Sequence, residues 1–214
     1  MEKSEMVIRT LINDDKKFVV SKDLESVCNK YNLNYNKTRR LLLNAGSMIT
    51  IFRGVFYVKD YNEKKTGVIE YSPDELIAKG LELKGIRNWY FGLKSGLKFL
   101  NVTHEYFTRT WILNDTMKRK LRGLAGASYE FVKMKRNLFE FGIKTEKTKN
   151  GFLIKYSDRE KTLLDIAYLY KKKGKSDYTA KQIFLEYEEN LDKERLFDYS
   201  KKYPKTIQKL VKEL

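Results

Sequence analysis

The stretch from Phe18 to Lys59 constrains the fold more than any other, because helix, turn, helix and hairpin signals follow one another without a gap. Ser21 has the chemistry to cap a helix whose Leu24, Val27, Cys28 and Tyr31 share one face. Asn32-Leu33-Asn34 supplies a tight turn. A second helix is expected from Tyr35 to Ala45, stopped by Gly46, where a left-handed residue is favoured. Met48 to Phe52 and Val55 to Lys59 are β-rich runs joined at Arg53-Gly54, which predicts a hairpin. With a first helix at Met6 to Asn13, this order on a basic chain is that of a winged helix-turn-helix, a module that reads DNA.

The second helix of the pair supplies the candidate contacts. At about 100° per residue, Thr38, Leu41, Leu42 and Ala45 fall on one side and are expected to pack on the preceding helix. Asn36 and Arg40 lie nearly opposite, flanked by Lys37, Arg39 and Asn44. Asn suits bidentate bonding to adenine and Arg to guanine, so this face is expected to enter a major groove. Leu43 also points outward, towards a base methyl or another domain. Arg53, at the hairpin tip, would reach a phosphate or the minor groove. The alternative is a protein-binding winged helix whose basic face is merely solvated.

Charge bears on the rest of the chain. The 214 residues carry 44 Lys/Arg against 28 Asp/Glu, a net +16 that points to a polyanionic or acidic partner. Residues 1–60 hold 11 basic against 7 acidic side chains, whereas residues 84–155 hold 16 against 5. A single basic reading head does not account for that distribution. No apolar run approaches the roughly 18 residues of a membrane span, and no secretory leader opens the chain. One cysteine, Cys28, fits a reducing cytoplasm. With His104 the one histidine, no zinc site is expected, nor any other cofactor.

Residues 1–60 are therefore assigned to the winged helix-turn-helix, 61–71 to a charged connector, and 72–214 to a second, α+β domain. Ser72-Pro73-Asp74-Glu75 is a capping box that opens a helix running to about Lys84 and stopping at Gly85. Tyr90 to Leu100 is expected to form the next helix. Phe107–Ile112, Tyr129–Lys135, Leu138–Thr145 and Phe152–Tyr156 read as strands of a curved antiparallel sheet, with a turn at Lys149-Asn150-Gly151. Ser157-x-x-Glu160 and Thr179-x-x-Gln182 open further helices, and Pro204 begins the last.

Two segments of this domain carry a family resemblance. Trp89-Tyr90-Phe91-Gly92-Leu93-Lys94-Ser95-Gly96-Leu97, continuing to Asn101-Val102-Thr103-His104, resembles the Tyr-rich opening, Ser-Ala-Leu helix and Gly-Leu-Thr-His-like turn of AbiEi-type antitoxins. Tyr156-Ser157-Asp158-Arg159-Glu160-Lys161-Thr162-Leu163-Leu164-Asp165 is similar to that family's Asp-x-Glu-x-Thr-Leu-Leu-Asp segment. Gly96 stands where the family has a small Ala, and Asn101 where it has Gly. The resemblance implies an autorepressing antitoxin of a type IV toxin-antitoxin system. Such a protein binds inverted repeats in its own promoter and counteracts a nucleotidyltransferase-like toxin. Some chains of this layout are transcriptional regulators alone.

Other chemistry is sparse. Asp158, Glu160 and Asp165 with Lys161 could be assembled into a metal-dependent nuclease centre. However, acids in a helix's first turn are explained by capping and by the helix dipole, and Asp165 by anchoring Arg159 or Lys161. No catalytic residue is assigned. Two basic clusters, Lys118-Arg119-Lys120-Leu121-Arg122 and Lys133-Met134-Lys135-Arg136, would present paired cationic rows on strands. They suit flanking DNA phosphates or RNA, or else form a solvated sheet face. The expected function is that of a DNA-binding regulator; a plain winged-helix transcription factor, a nuclease and an RNA-binding protein are the alternatives.

Overall fold

The computed structural model describes residues 3–103, 105, 107–189 and 191–214; His104 and the side chain of Arg122 lie outside the described residues. The chain is α+β and divides into two compact units, the first spanning Met1–Arg87 with Gly123–Gly126 and Lys149–Phe152, the second the remainder.

The first unit runs α1 (Lys3–Asn13), β1 (Phe18–Val20), α2 (Ser21–Lys30), α3 (Tyr35–Asn44), β2 (Met48–Phe52), β3 (Val55–Val58), α4 (Tyr61–Thr66) and α5 (Pro73–Leu83). The strands form an antiparallel sheet in the order β1-β3-β2, with Val20 opposite Val55. Val7 and Leu11, one turn apart on α1, share a core with Leu24, Val27 and Cys28 of α2, Leu42 of α3, and Phe56 and Val58 of β3. The turn into α3 uses Asn32 at φ +52, a conformation Asn tolerates better than most residues, and Gly46 (φ +66) follows the helix.

Two details of this unit differ from expectation. Ser21 lies inside α2, not at its cap, because β1 runs directly into the helix; the amide of Val20 instead donates to Asp23 Oδ2 at 3.1 Å. The segment expected to be a connector is folded. Asp60 and Glu63 cap α4 reciprocally, and the buried Glu63 carboxylate also accepts from Tyr57 Oη (2.5 Å) and the amide of Glu70 (2.8 Å). Ser72 caps α5 as its sequence predicts. A Cβ added at Gly80 of α5 would fall 2.6 Å from Ile51 Cγ2 and 2.7 Å from the Phe52 ring, so the helix backbone lies directly on β2. That contact carries the first unit to Arg87, well beyond residue 60.

The second unit runs β4 (Trp89–Phe91), α6 (Lys94–Phe99), β5 (Thr110–Asn114), β6 (Arg119–Leu124), β7 (Ala127–Lys133), a 3-10 turn (Arg136–Phe139), β8 (Ile143–Lys147), β9 (Leu153–Ser157), α7 (Arg159–Lys172), α8 (Asp177–Glu186), α9 (Lys193–Ser200) and α10 (Lys205–Lys212). Its six-stranded sheet has the order β6-β7-β5-β4-β9-β8. The expected antiparallel sheet is corrected to a mixed one, since β5 pairs in parallel with β7, and β4 with β9. The cause is topological: β6 takes the edge outside β7, which leaves β7 to return beside β5 in the same direction.

Tyr90 does not begin a helix. Trp89, Tyr90 and Phe91 are all buried in a central strand, and the helix starts only after Leu93, held at φ +55. Ser157 does not cap α7; Asp158 does, accepting from the amide of Lys161 at 2.9 Å, while Ser157 Oγ bonds Thr162 Oγ1 at 2.5 Å. Likewise Ser176, not Thr179, caps α8. Gly96 and Asn101 each have a local reason. A Cβ at Gly96 would meet Thr162 Oγ1 at 2.7 Å and Ser157 Oγ at 2.8 Å, so this chain needs glycine there. Asn101 sits at φ +54, where Asn substitutes for Gly at small cost.

Candidate nucleic-acid interface

α3 is fixed by its ends and by one buried stripe. Asn34 Oδ1 accepts from the amide of Lys37 at 3.0 Å, closing the N-terminus. Tyr35 Oη donates to Ser21 Oγ at 2.9 Å, tying the first turn to the start of α2. Thr38 and Leu42 are buried, and Tyr35 and Leu43 are half-buried against the same core. The packing stripe is therefore centred on Tyr35, Thr38 and Leu42. This corrects the expectation for three residues: Leu41 (45% exposed) and Ala45 face outward, and Leu43 faces inward.

Asn36, Lys37, Arg40 and Asn44 are exposed together on the opposite side, on a face about 100° wide and roughly two turns long. Arg39 does not join them freely. It is half-buried, its guanidinium stacks over the Tyr35 ring at 5.9 Å, and among the described residues its Nε has no hydrogen-bond partner. Arg53 is exposed at a two-residue turn. That turn is short and held down, because the Ser21 amide donates to Gly54 O at 2.9 Å and a Cβ on Gly54 would touch Ser21 Oγ.

The second basic surface is a corner of the mixed sheet. Ala125-Gly126, both at positive φ, connect β6 to β7 in two residues, which forces the pair to run antiparallel. The start of β6 thus lies beside the end of β7. Lys118, Arg119 and Lys120 are exposed there, with Lys133, Lys135 and Arg136 exposed on the adjoining end. Asn114 builds the turn before β6, its Oδ1 accepting from the amides of Thr116 (3.0 Å) and Met117 (2.6 Å). Among the described residues none of these six cations has a carboxylate within ion-pair distance. Asp115 is near Arg136; burial raises its carboxyl, but hydrogen bonds from Asn88 and Thr116 and the Arg136 charge hold it below its ordinary value. The exposure of three successive residues differs from the expected alternation: Lys118 precedes β6, and Arg119 and Lys120, which point to opposite faces, are both exposed because the start of this edge strand is uncovered on either side. Charged edges also prevent strand-to-strand aggregation, which is the competing account of these lysines.

Asp158, Glu160 and Asp165 each have partners within the second unit. Asp158 caps α7 and accepts from Tyr199 Oη at 3.1 Å; burial raises its carboxyl, and Tyr199 is pushed up to about 12 by burial and by that neighbour. Glu160 accepts from the amide of Asp192 at 3.1 Å and faces Arg195 at 3.7 Å. Asp165, wholly buried, accepts from Tyr90 Oη and Tyr203 Oη, each at 2.7 Å, and lies 3.6 Å from the equally buried Lys161 ammonium. Lys161 Nζ sits 4.4 Å from the Phe141 ring centre and 4.8 Å from that of Tyr90. Burial pushes the Asp165 carboxyl up and the Lys161 ammonium down, each partly offset by the other. The sequence pointed to Lys161 as one possible partner of Asp165; the two tyrosines, far away in sequence, carried no signal. Among the described residues no three His, Cys, Asp or Glu side chains are grouped as metal ligands, and no helix is long and apolar enough to cross a membrane.

No protein-family model matches the chain, and no curated protein matches it. Among solved structures, the chain is similar in fold to the RV2827C protein from Mycobacterium tuberculosis, at a TM-score of 0.60 and 14% identity, over 98% of this chain and 75% of that one.

Proposed function

We propose that the first unit is a winged helix-turn-helix that reads double-stranded DNA through α3, and that the chain is a transcriptional regulator. The observation that carries this reading is the strip Asn36, Lys37, Arg40 and Asn44. These donors and acceptors stand exposed on one face of a helix whose opposite face is locked by Tyr35, Thr38 and Leu42. Side chains held on a rigid helix suit base edges in a major groove. Arg53 adds a contact at one flank. Its short, anchored hairpin favours a phosphate over deep entry into the minor groove. The order of helices and strands supports the same assignment.

With the sequence resemblance, the reading extends to an autorepressing AbiEi-type antitoxin acting in the cytoplasm on inverted repeats of its own promoter. Its functional partner would be a nucleotidyltransferase-like toxin. The basic corner of the second unit favours an additional polyanion contact, to flanking DNA phosphates or to RNA. The chain would act without catalysis. Arg40→Ala tests the central assignment: it should weaken binding to a specific operator by about 1–3 kcal/mol and relax preference at one base pair. Unchanged affinity and unchanged preference would remove α3 from the interface.

A further inference from the structure

We infer that the first unit also carries a docking groove for an acidic amphipathic helix of a partner protein, set between α1, the C-terminal half of α3, and α4. The proposal goes beyond DNA binding and stands on a cavity of about 870 Å³. Its floor is two apolar stripes, Ile8 and Ile12 on α1 and Leu41 and Ala45 on α3, each pair one helical turn apart. Leu41 is 45% exposed on a helix face it shares with Ala45 and with Asn, Lys and Arg side chains, and Tyr61, 76% exposed, stands at the rim.

The charge of the rim selects the occupant. Arg9, Lys59, Lys64 and Lys65 line the groove, and among the described residues none of them has a carboxylate within ion-pair distance. Of the two acids present, Asp60 already accepts from Lys17 Nζ at 3.2 Å and from the amide of Glu63, which leaves Glu5. An apolar floor with a cationic border is complementary to a helix with apolar residues at i, i+4 and i+7 flanked by Asp and Glu. Duplex DNA is a poorer fit, since a concave hydrocarbon floor offers nothing to a phosphate. Leu41 and Asn44 belong both to the groove and to the exposed side of α3. If the DNA reading holds, a docked helix and an operator would compete.

The test is a display selection of random peptides about four helical turns long against the full chain. Selected peptides are then measured by fluorescence anisotropy on wild type, Leu41→Glu, Lys64→Glu/Lys65→Glu, and Lys172→Glu as a control in the second unit. We expect selected sequences with the acidic amphipathic pattern, and affinity reduced about tenfold or more by the first two variants but not by the third. Both groove variants change exposed side chains, so retained folding is checked by their unchanged thermal melts. Selection of no peptide, of peptides without the pattern, or of peptides that bind Leu41→Glu equally well would overturn the groove. Specific duplex binding by a chain that selects no such peptide would sink the groove alone, and the reverse result would sink the DNA reading alone.

Discussion

The buried Lys161–Asp165 pair gives a sharp test of how the second unit is held together. Asp165→Asn keeps an acceptor for one of the two tyrosine hydroxyls, which bond different carboxylate oxygens, sets an NH2 against the other, and removes the charge that faces Lys161 across 3.6 Å. Breaking a buried pair from one side costs about 3–5 kcal/mol. The lysine has an escape, which is to give up its proton. Holding a lysine neutral at pH 7, against its ordinary value of 10.5, costs about 5 kcal/mol. That cost caps the penalty, and the cap falls with rising pH to roughly 1–2 kcal/mol near pH 9.5. The variant should therefore be destabilised by about 3–5 kcal/mol at pH 7 and much less at pH 9.5. Adding Lys161→Met should recover most of the loss at both pH values, because a buried apolar side chain needs no counter-charge. Both tryptophans, Trp89 and Trp111, belong to the second unit, so urea denaturation followed by tryptophan emission reports on it alone. A penalty below about 1 kcal/mol, or one that does not change with pH, would refute the argument that a charged lysine is confined there.

Other expectations are simpler. Charge neutralisation at Arg119, Lys120, Lys133 and Lys135 should lower the salt slope of DNA binding by about 0.9 per lost phosphate contact without altering sequence preference, as read by titrations at several salt concentrations. An unchanged slope would leave edge protection as the account of that corner. Gly80→Ala should destabilise the first unit by about 1–3 kcal/mol through overpacking against Ile51 and Phe52, read by hydrogen exchange of α5 and β2. Alkaline stability has a definite sign. Burial raises Cys28 above its ordinary 9.0 and Tyr90 and Tyr203 above 10.0. Above those values the unfolded chain loses these protons first, so stability should fall as pH climbs past about 9. Buried Lys161, held below its ordinary 10.5, contributes with the opposite sign. In the Asp165→Asn/Lys161→Met background, which removes it, a melting temperature that is flat or rising between pH 8.5 and 10.5 would contradict the burial of these groups.

Local chemistry made some of this architecture readable in advance. The Ser72-Pro73 start of α5, the Asn-bounded turn before α3, the hairpin at Arg53-Gly54 and the Asn150-Gly151 turn each depend on side chains within a few residues of the feature. What depended on distant partners was not readable. Trp89-Tyr90-Phe91 is a continuous apolar run that fits a buried strand or a helix equally well, and only its neighbours β5 and β9 decide. Parallel pairing of β5 with β7 follows from where β6 goes, which no local signal records. On α3 the helical wheel gave the angles but not the centre of packing. Tyr35 anchors to Ser21 and turns the buried stripe towards Thr38 and Leu42, leaving Leu41 outside. The charge excess of the middle segment was plain in the sequence. Its concentration at one sheet corner needed the short β6–β7 turn.

The most direct test of the central claim is binding of the full chain to its own upstream promoter fragment against a scrambled duplex of equal length, at two salt concentrations. The account predicts a preference of about a thousandfold or more that survives the higher salt. Equal and salt-sensitive binding to both duplexes would contradict it, and would mean that the positive charge is a general grip on polyanions rather than part of a reading head.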